Sequence, residues 1–133
     1  MRSAARECAF KIIFASLFNE REDKLLSRRI YDAAGLDEEG RAYAERILVC
    51  VREHLPELKE ELDRCAIGFS EKRMFPADKS ALLIALAEIR YFDDVPNIVA
   101  VDEAVGLAKK YSTEKSAGFV NGVLAALIGG ENK

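Results

Sequence analysis

Apolar residues recur along this chain at the three- and four-residue spacing of amphipathic helices, and almost nowhere at the alternating spacing of strands. Ala5, Cys8, Ala9, Ile12 and Ser16 mark one face of a helix predicted over residues 3–18. Beside it, Arg2, Arg6, Phe10, Phe14 and Phe18 form an i, i+4 row. A helix apolar on so many sides needs cover from two directions or from a partner. A second helix fits residues 22–33 and stops at Gly35. Asp37 reads as the N-cap of a long helix to about residue 54, with Ala44, Ile47, Leu48 and Val51 inward. Pro56 then opens a helix ending near Cys65, with Leu55, Leu58 and Leu62 as its stripe. Residues 67–75 read as irregular, with Gly68 as a stop and Phe69 and Phe75 tucked under the loop.

From Pro76 the pattern changes. Leu82-Leu83-Ile84-Ala85-Leu86-Ala87, continuing to Ile89 and Phe92, is apolar nearly all round, which predicts the central helix of the fold. Asp93 to Asn97 form a turn. The β-branched run Ile98 to Val101 would alone suggest a strand, but Ile98, Val101, Val105 and Ala108 keep the longer helical period. Acids come early in that segment (Asp102, Glu103) and lysines late (Lys109, Lys110), as a helix dipole prefers. Ser116 is the predicted N-cap of a last helix with Val120, Val123, Leu124 and Leu127 inward, ended by Gly129-Gly130. With no repeat, linker or low-complexity tract in view, the expectation is one all-α domain over residues 1–133, a compact bundle of about seven helices.

Composition changes this picture little, and charge changes it more. Half of the residues are apolar and about a third charged, an ordinary globular mixture. A net charge of −3 argues against a blanket nucleic-acid binder, yet local charge decides where a phosphate chain lands. Residues 1–14 carry Arg2, Arg6 and Lys11 against Glu7, and residues 109–121 carry Lys109, Lys110 and Lys115 against Glu114. Both segments are locally positive. Charged residues interrupt every apolar run that might span a bilayer, and no secretory leader is visible, so no membrane association and a cytoplasmic location are expected.

Catalytic chemistry finds little support. His54 is the sole histidine, four residues after Cys50, with no orienting third group or oxyanion loop in the pattern. Cys8, Cys50 and Cys65 are dispersed among apolar residues and read as small buried thiols, with neither zinc nor disulfide spacing. Neither a dinucleotide fingerprint nor a P-loop occurs. The expectation is a protein that is not an enzyme and takes no cofactor.

Recognition is what remains. Arg2 and Arg6, one turn apart, would reach phosphates along one helix edge, since a guanidinium grips phosphate through two donors. The corner around Lys109, Lys110, Lys115, Phe119 and Asn121 combines lysines, a helix N-terminus and a flat aromatic face, a kit suited to phosphate and base. From the residues alone each of these also has an ordinary reading, as solvated charge, dipole partner, core or loop cap.

The wording of that corner carries a resemblance. Glu103-Ala104-Val105, Leu107 to Tyr111, Thr113 to Ser116 and Phe119 to Leu124 resemble, in order, the signature of the NusB family of bacterial antitermination factors. Arg6-Glu7-Cys8-Ala9, Asp78 to Leu83 with Ala87-Glu88-Ile89, and Asp94-Val95-Pro96 are similar to other segments of that family, so the likeness extends over essentially the whole chain. It implies an all-helical fold of two three-helix subdomains with an extra helix. It implies binding of the boxA element of nascent RNA together with NusE, a small-subunit ribosomal protein, within an antitermination complex on RNA polymerase, notably during ribosomal RNA transcription. On the matching positions, the resemblance assigns RNA contacts to Arg2, Arg6, Lys110, Lys115, Phe119 and Asn121, and a NusE-facing surface to Phe14, Phe18 and Asp78. It leaves two other assignments open: a helical appendage working with a ribosomal RNA methyltransferase, and a self-associating module whose phenylalanine row serves a homodimer. One departure bears on affinity. Ser3-Ala4-Ala5 stands between only two arginines where many relatives carry more, so weak RNA binding without NusE is expected.

Overall fold

The structure, a computed structural model, describes residues 2–18, 23–66 and 73–129. Seven helices account for most of these: α1 (Arg2–Ser16), α2 (Lys24–Ala34), α3 (Glu38–Glu53), α4 (Leu55–Cys65), α5 (Pro76–Tyr91), α6 (Asn97–Tyr111) and α7 (Glu114–Ile128), with no strand among the described residues. The all-α expectation holds. None of these helices is long and apolar enough to cross a membrane.

Side-chain chemistry sets the helix ends. Asp23 caps α2 by accepting from the Leu26 N–H at 3.0 Å, and Gly35 closes it in the left-handed region at φ 63°, a conformation glycine adopts without steric penalty. Asp37 caps α3 as expected, accepting from the Gly40 N–H at 2.8 Å. The last helix corrects the sequence reading. Its N-cap is Thr113, whose Oγ1 accepts from the Ser116 N–H at 3.0 Å, so Ser116 lies inside the first turn and its hydroxyl is left for tertiary contacts.

α5 runs through the middle of the fold. Every residue from Ser80 to Ile89 is buried, and the helix touches α1, α3, α4, α6 and α7. α1 packs against α2 and α3 on one side, while α6 and α7 pack against each other and against α5 on the other. Phe92 and Val95 plug the turn after α5. Phe75 does not tuck inward: it is 68% exposed, because Pro76 holds it extended at the lip of α5, off the core. Phe69 lies outside the described residues. Cys8, Cys50 and Cys65 are free thiols, and burial pushes the Cys8 and Cys50 thiols up, which keeps them protonated and unreactive. His54, at the α3–α4 junction, stacks on Tyr91 with ring centroids 3.8 Å apart.

Candidate nucleic-acid interface

The edge of α1 separates its two arginines. Arg2 is exposed, with Nη2 donating to Asp94 Oδ2 at 2.7 Å and its guanidinium 4.4 Å from the Tyr43 ring centroid. Arg6 is not on the open edge where the i, i+4 reading put it. It is 3% exposed, and its Nε donates to both carboxylate oxygens of Glu88 at 3.0 and 2.9 Å. Nη1 reaches Glu103 at 2.8 Å, and the Tyr43 hydroxyl closes the cluster by donating to Glu88. The reason is one of placement. Residues four apart lie about 40° from superposition on a helix, and here α5 covers one and leaves the other open. Burial by itself would lower the Arg6 pKa, but the charge and hydrogen bonds of Glu88, with Tyr43 and Glu103, outweigh it and raise it. Burial, reinforced by the bond to Glu88, likewise pushes the Tyr43 phenol up. With its donors committed inside, Arg6 fastens α1 to α5 and α6 rather than facing a phosphate chain.

Arg46 of α3 takes the place that Arg6 leaves. Its Nη2 donates to Asp94 Oδ1 at 3.1 Å, and its guanidinium lies 3.9 Å from the Phe92 ring centroid. Nothing in the sequence pattern singles it out. It reads as one solvated charge among many on α3, and only the packing of α1 and α3 brings it beside Arg2.

The α6–α7 corner is tied to the same edge. Lys110 Nζ donates to both oxygens of Glu7 at 2.7 and 3.1 Å, which joins the two locally positive stretches of sequence. Lys109 pairs with Glu114 at 3.5 Å. Lys115 is exposed and carries no ion pair among the described residues. Asn121 is exposed, and Phe119 is half-buried, with part of its ring packed against the core.

The aromatic row turns outward along α1. Phe10 is buried and stacks on Tyr111 with centroids 4.9 Å apart, Phe14 is 37% exposed, and Phe18 is 68% exposed. Phe14 and Phe18 meet edge to face at 5.3 Å. Asp78, expected on the same partner-facing surface, is instead 3% exposed. Its Oδ2 accepts from the Ser116 hydroxyl at 3.2 Å, which pins the first turn of α7 to the first turn of α5, and its Oδ1 is buried without a hydrogen bond. The cause is the shift of the N-cap to Thr113, which turns Ser116 inward toward Asp78. Burial pushes the Asp78 carboxyl up, and the Ser116 bond only partly opposes it. A folded-state pKa above the unfolded one means stability is fully present below the ordinary carboxylate range and is lost as pH rises through the folded pKa. Asp78→Asn is therefore expected to raise Tm at pH 7 and to leave it unchanged near pH 3, measured by thermal melts; equal melts at pH 7 would contradict the assignment.

An open cavity of about 730 Å³ lies elsewhere, lined by residues of α1 to α5 such as Ile12, Tyr31, Leu48, Leu55 and Leu83. None of the residues expected to touch RNA lines it. Among the described residues, no group of three His, Cys, Asp or Glu is placed to hold a metal ion.

Among the described residues, seven helices form a bundle with an arginine and lysine edge and an outward aromatic row, which places the chain in the class of small all-α proteins. Within it, the model of the NusB family matches residues 3–128, and the chain belongs to that family. A transcription antitermination protein NusB from Agathobacter rectalis is 36% identical over 129 residues, covering 93% of this chain and 96% of its own. The fold is similar to that of T. maritima NusB, with a TM-score of 0.89 at 30% identity, covering 98% of this chain and 92% of that one. A crystal structure of antitermination factors NusB and NusE in complex with double-stranded RNA contains a chain of the same fold, with a TM-score of 0.86 at 24% identity, covering 95% of this chain and 94% of that one.

Proposed function

We propose that this chain is a cytoplasmic transcription antitermination factor that binds the boxA element of nascent RNA together with NusE and supports processive transcription by RNA polymerase, notably of ribosomal RNA. The observation that carries this reading is the ion pair from Lys110 to Glu7, which draws the α6–α7 corner onto the exposed edge of α1. On this reading the RNA path runs from Arg2 past Lys110 to Lys115, Phe119 and Asn121. Single-stranded RNA suits such a track, because its bases are free to stack and its phosphates need only a modest line of cations. Family membership supports the same reading, as do relatives named transcription antitermination proteins. The exposed Phe14 and Phe18 are assigned to NusE, with a second copy of this chain as the competing occupant. Asp78, buried between the first turns of α5 and α7, does not share that exposed surface.

Binding of boxA-containing and scrambled single-stranded RNA, with and without NusE, tests the proposal. Preference for boxA, strengthened by NusE, is the expected result; equal binding of both RNAs would sink it. Within that assay, Phe119→Ala is expected to weaken RNA binding by roughly 1–3 kcal/mol, the usual worth of a stacked base. Because part of the ring is packed against the core, a thermal melt accompanies the measurement. A lowered Tm with unchanged affinity would return Phe119 to a packing role alone.

A further inference from the structure

The turn between α5 and α6 places an anion of the protein's own between two arginines. Asp94 Oδ2 accepts from Arg2 Nη2 at 2.7 Å and from Arg46 Nη1 at 3.3 Å, while Oδ1 accepts from Arg46 Nη2 at 3.1 Å. Each guanidinium also lies over an aromatic ring, Arg2 over Tyr43 and Arg46 over Phe92, which restricts its plane and pre-orders its donors. Tyr43 and Phe92 are themselves buried, so the floor of the cradle is rigid. The three charged side chains are open to solvent: 47% and 44% exposed for Arg2 and Arg46, and 46% for Asp94. At such exposure an ion pair contributes little to folding, so an incoming anion displaces it readily. A carboxylate bridging two guanidiniums copies what an RNA phosphate would do there. Of the other acids near this edge, Glu103 is already engaged by Arg6 and by the Ser3 hydroxyl, and Glu7 by Lys110.

We propose that Arg2 and Arg46 form a phosphate subsite for single-stranded RNA, and that Asp94 is its resident competitor, which the RNA must displace. This rests on the RNA-binding reading above and adds a residue that neither the sequence nor the family resemblance supplied. The arginine cluster that looks thin along the chain is restored in space by α3, then held in check by the α5–α6 turn. With Asp94 in place the cradle carries a net charge of about +1, and without it +2.

Fluorescence anisotropy with a boxA-containing single-stranded oligonucleotide, run across a salt series, tests the subsite. Asp94→Asn keeps the side-chain shape and removes the competing charge, and is expected to tighten binding about two- to fivefold. Arg46→Gln is expected to weaken it and to reduce the slope of log affinity against log salt by about 0.7, one single-strand phosphate contact. Circular dichroism melts of both variants confirm the fold. Should Asp94→Asn fold poorly, Arg46→Gln decides alone. Inorganic phosphate, compared with chloride at matched ionic strength, is expected to displace RNA slightly beyond the salt effect in the wild-type protein but not in Arg46→Gln; the same phosphate effect in both would place the anion elsewhere and overturn the subsite. Unchanged affinity in Asp94→Asn and Arg46→Gln, with Lys115→Gln still weakening binding, overturns the subsite and leaves the RNA reading standing. No binding by any form even with NusE present overturns both.

Discussion

Arg6→Ala is expected to destabilise the fold by about 3–5 kcal/mol, the loss typical when one partner of a buried ion pair is removed. The effect is large because of what stays behind. Glu88 is fully buried in α5, and its carboxylate takes two bonds from Arg6 and one from the Tyr43 hydroxyl. Without the guanidinium, that charge keeps the phenol but loses its cation, in a place water does not reach. Urea or thermal unfolding measures the change, and a shift under about 1 kcal/mol would contradict the assignment. A companion variant separates charge from packing. Replacing both ends with apolar residues, Arg6→Met with Glu88→Leu, is expected to recover most of the loss, since burying a pair costs nearly as much desolvation as its attraction returns. On this geometry any loss of RNA affinity in Arg6→Ala follows from a displaced α1, not from a missing phosphate contact.

The second large effect is expected at the aromatic row. Phe14→Ala with Phe18→Ala should weaken association with NusE by about 2–4 kcal/mol, roughly 30- to 1,000-fold in Kd. Buried aromatic anchors dominate interfaces, and these two rings already touch each other edge to face, so little ordering remains to be done on binding. Phe10, inside the bundle, holds the row at its base through Tyr111. Phe14, only 37% exposed and stacked on Phe10 at 6.3 Å, should give up some folding stability, which the melt reads separately from affinity. Isothermal titration with NusE and a thermal melt give the two readouts, and unchanged affinity would place the partner elsewhere. Sedimentation of the same variant answers the rival occupant: loss of a dimer without loss of NusE binding would give the row to a second copy of the chain.

How far these features were legible in the sequence depended on how local their causes are. Helix positions followed from period and punctuation, as with Asp37, Gly35, Pro76 and the apolar run that became α5. Thr113 and Ser116 show the limit of that reasoning, since both are hydroxyl residues able to cap and only backbone geometry separates them. Arg6 shows a deeper limit. Its i, i+4 relation to Arg2 is visible, but the acid that draws it inward lies 82 residues away. Asp78 was misjudged for the same reason: its partner, Ser116, comes from a different helix. Arg46 had no signal at all, because a lone arginine on a charged helix gains meaning only from its neighbours in space. The lysine corner was the most readable part of the candidate site, its residues lying close together along the chain.

The bond between Arg6 and Glu88 also bears on how the protein is made. At roughly 5–20 residues per second, a ribosome needs about 4–16 s to travel from the first of these residues to the second. Through that interval the acid that will fix the first helix does not exist, and Glu103, its other anchor, comes later still. A nascent chain halted before residue 88 should therefore carry a protease-sensitive first helix, and the surface holding Arg2 should take shape only once Glu88, Asp94 and Glu103 have all been made.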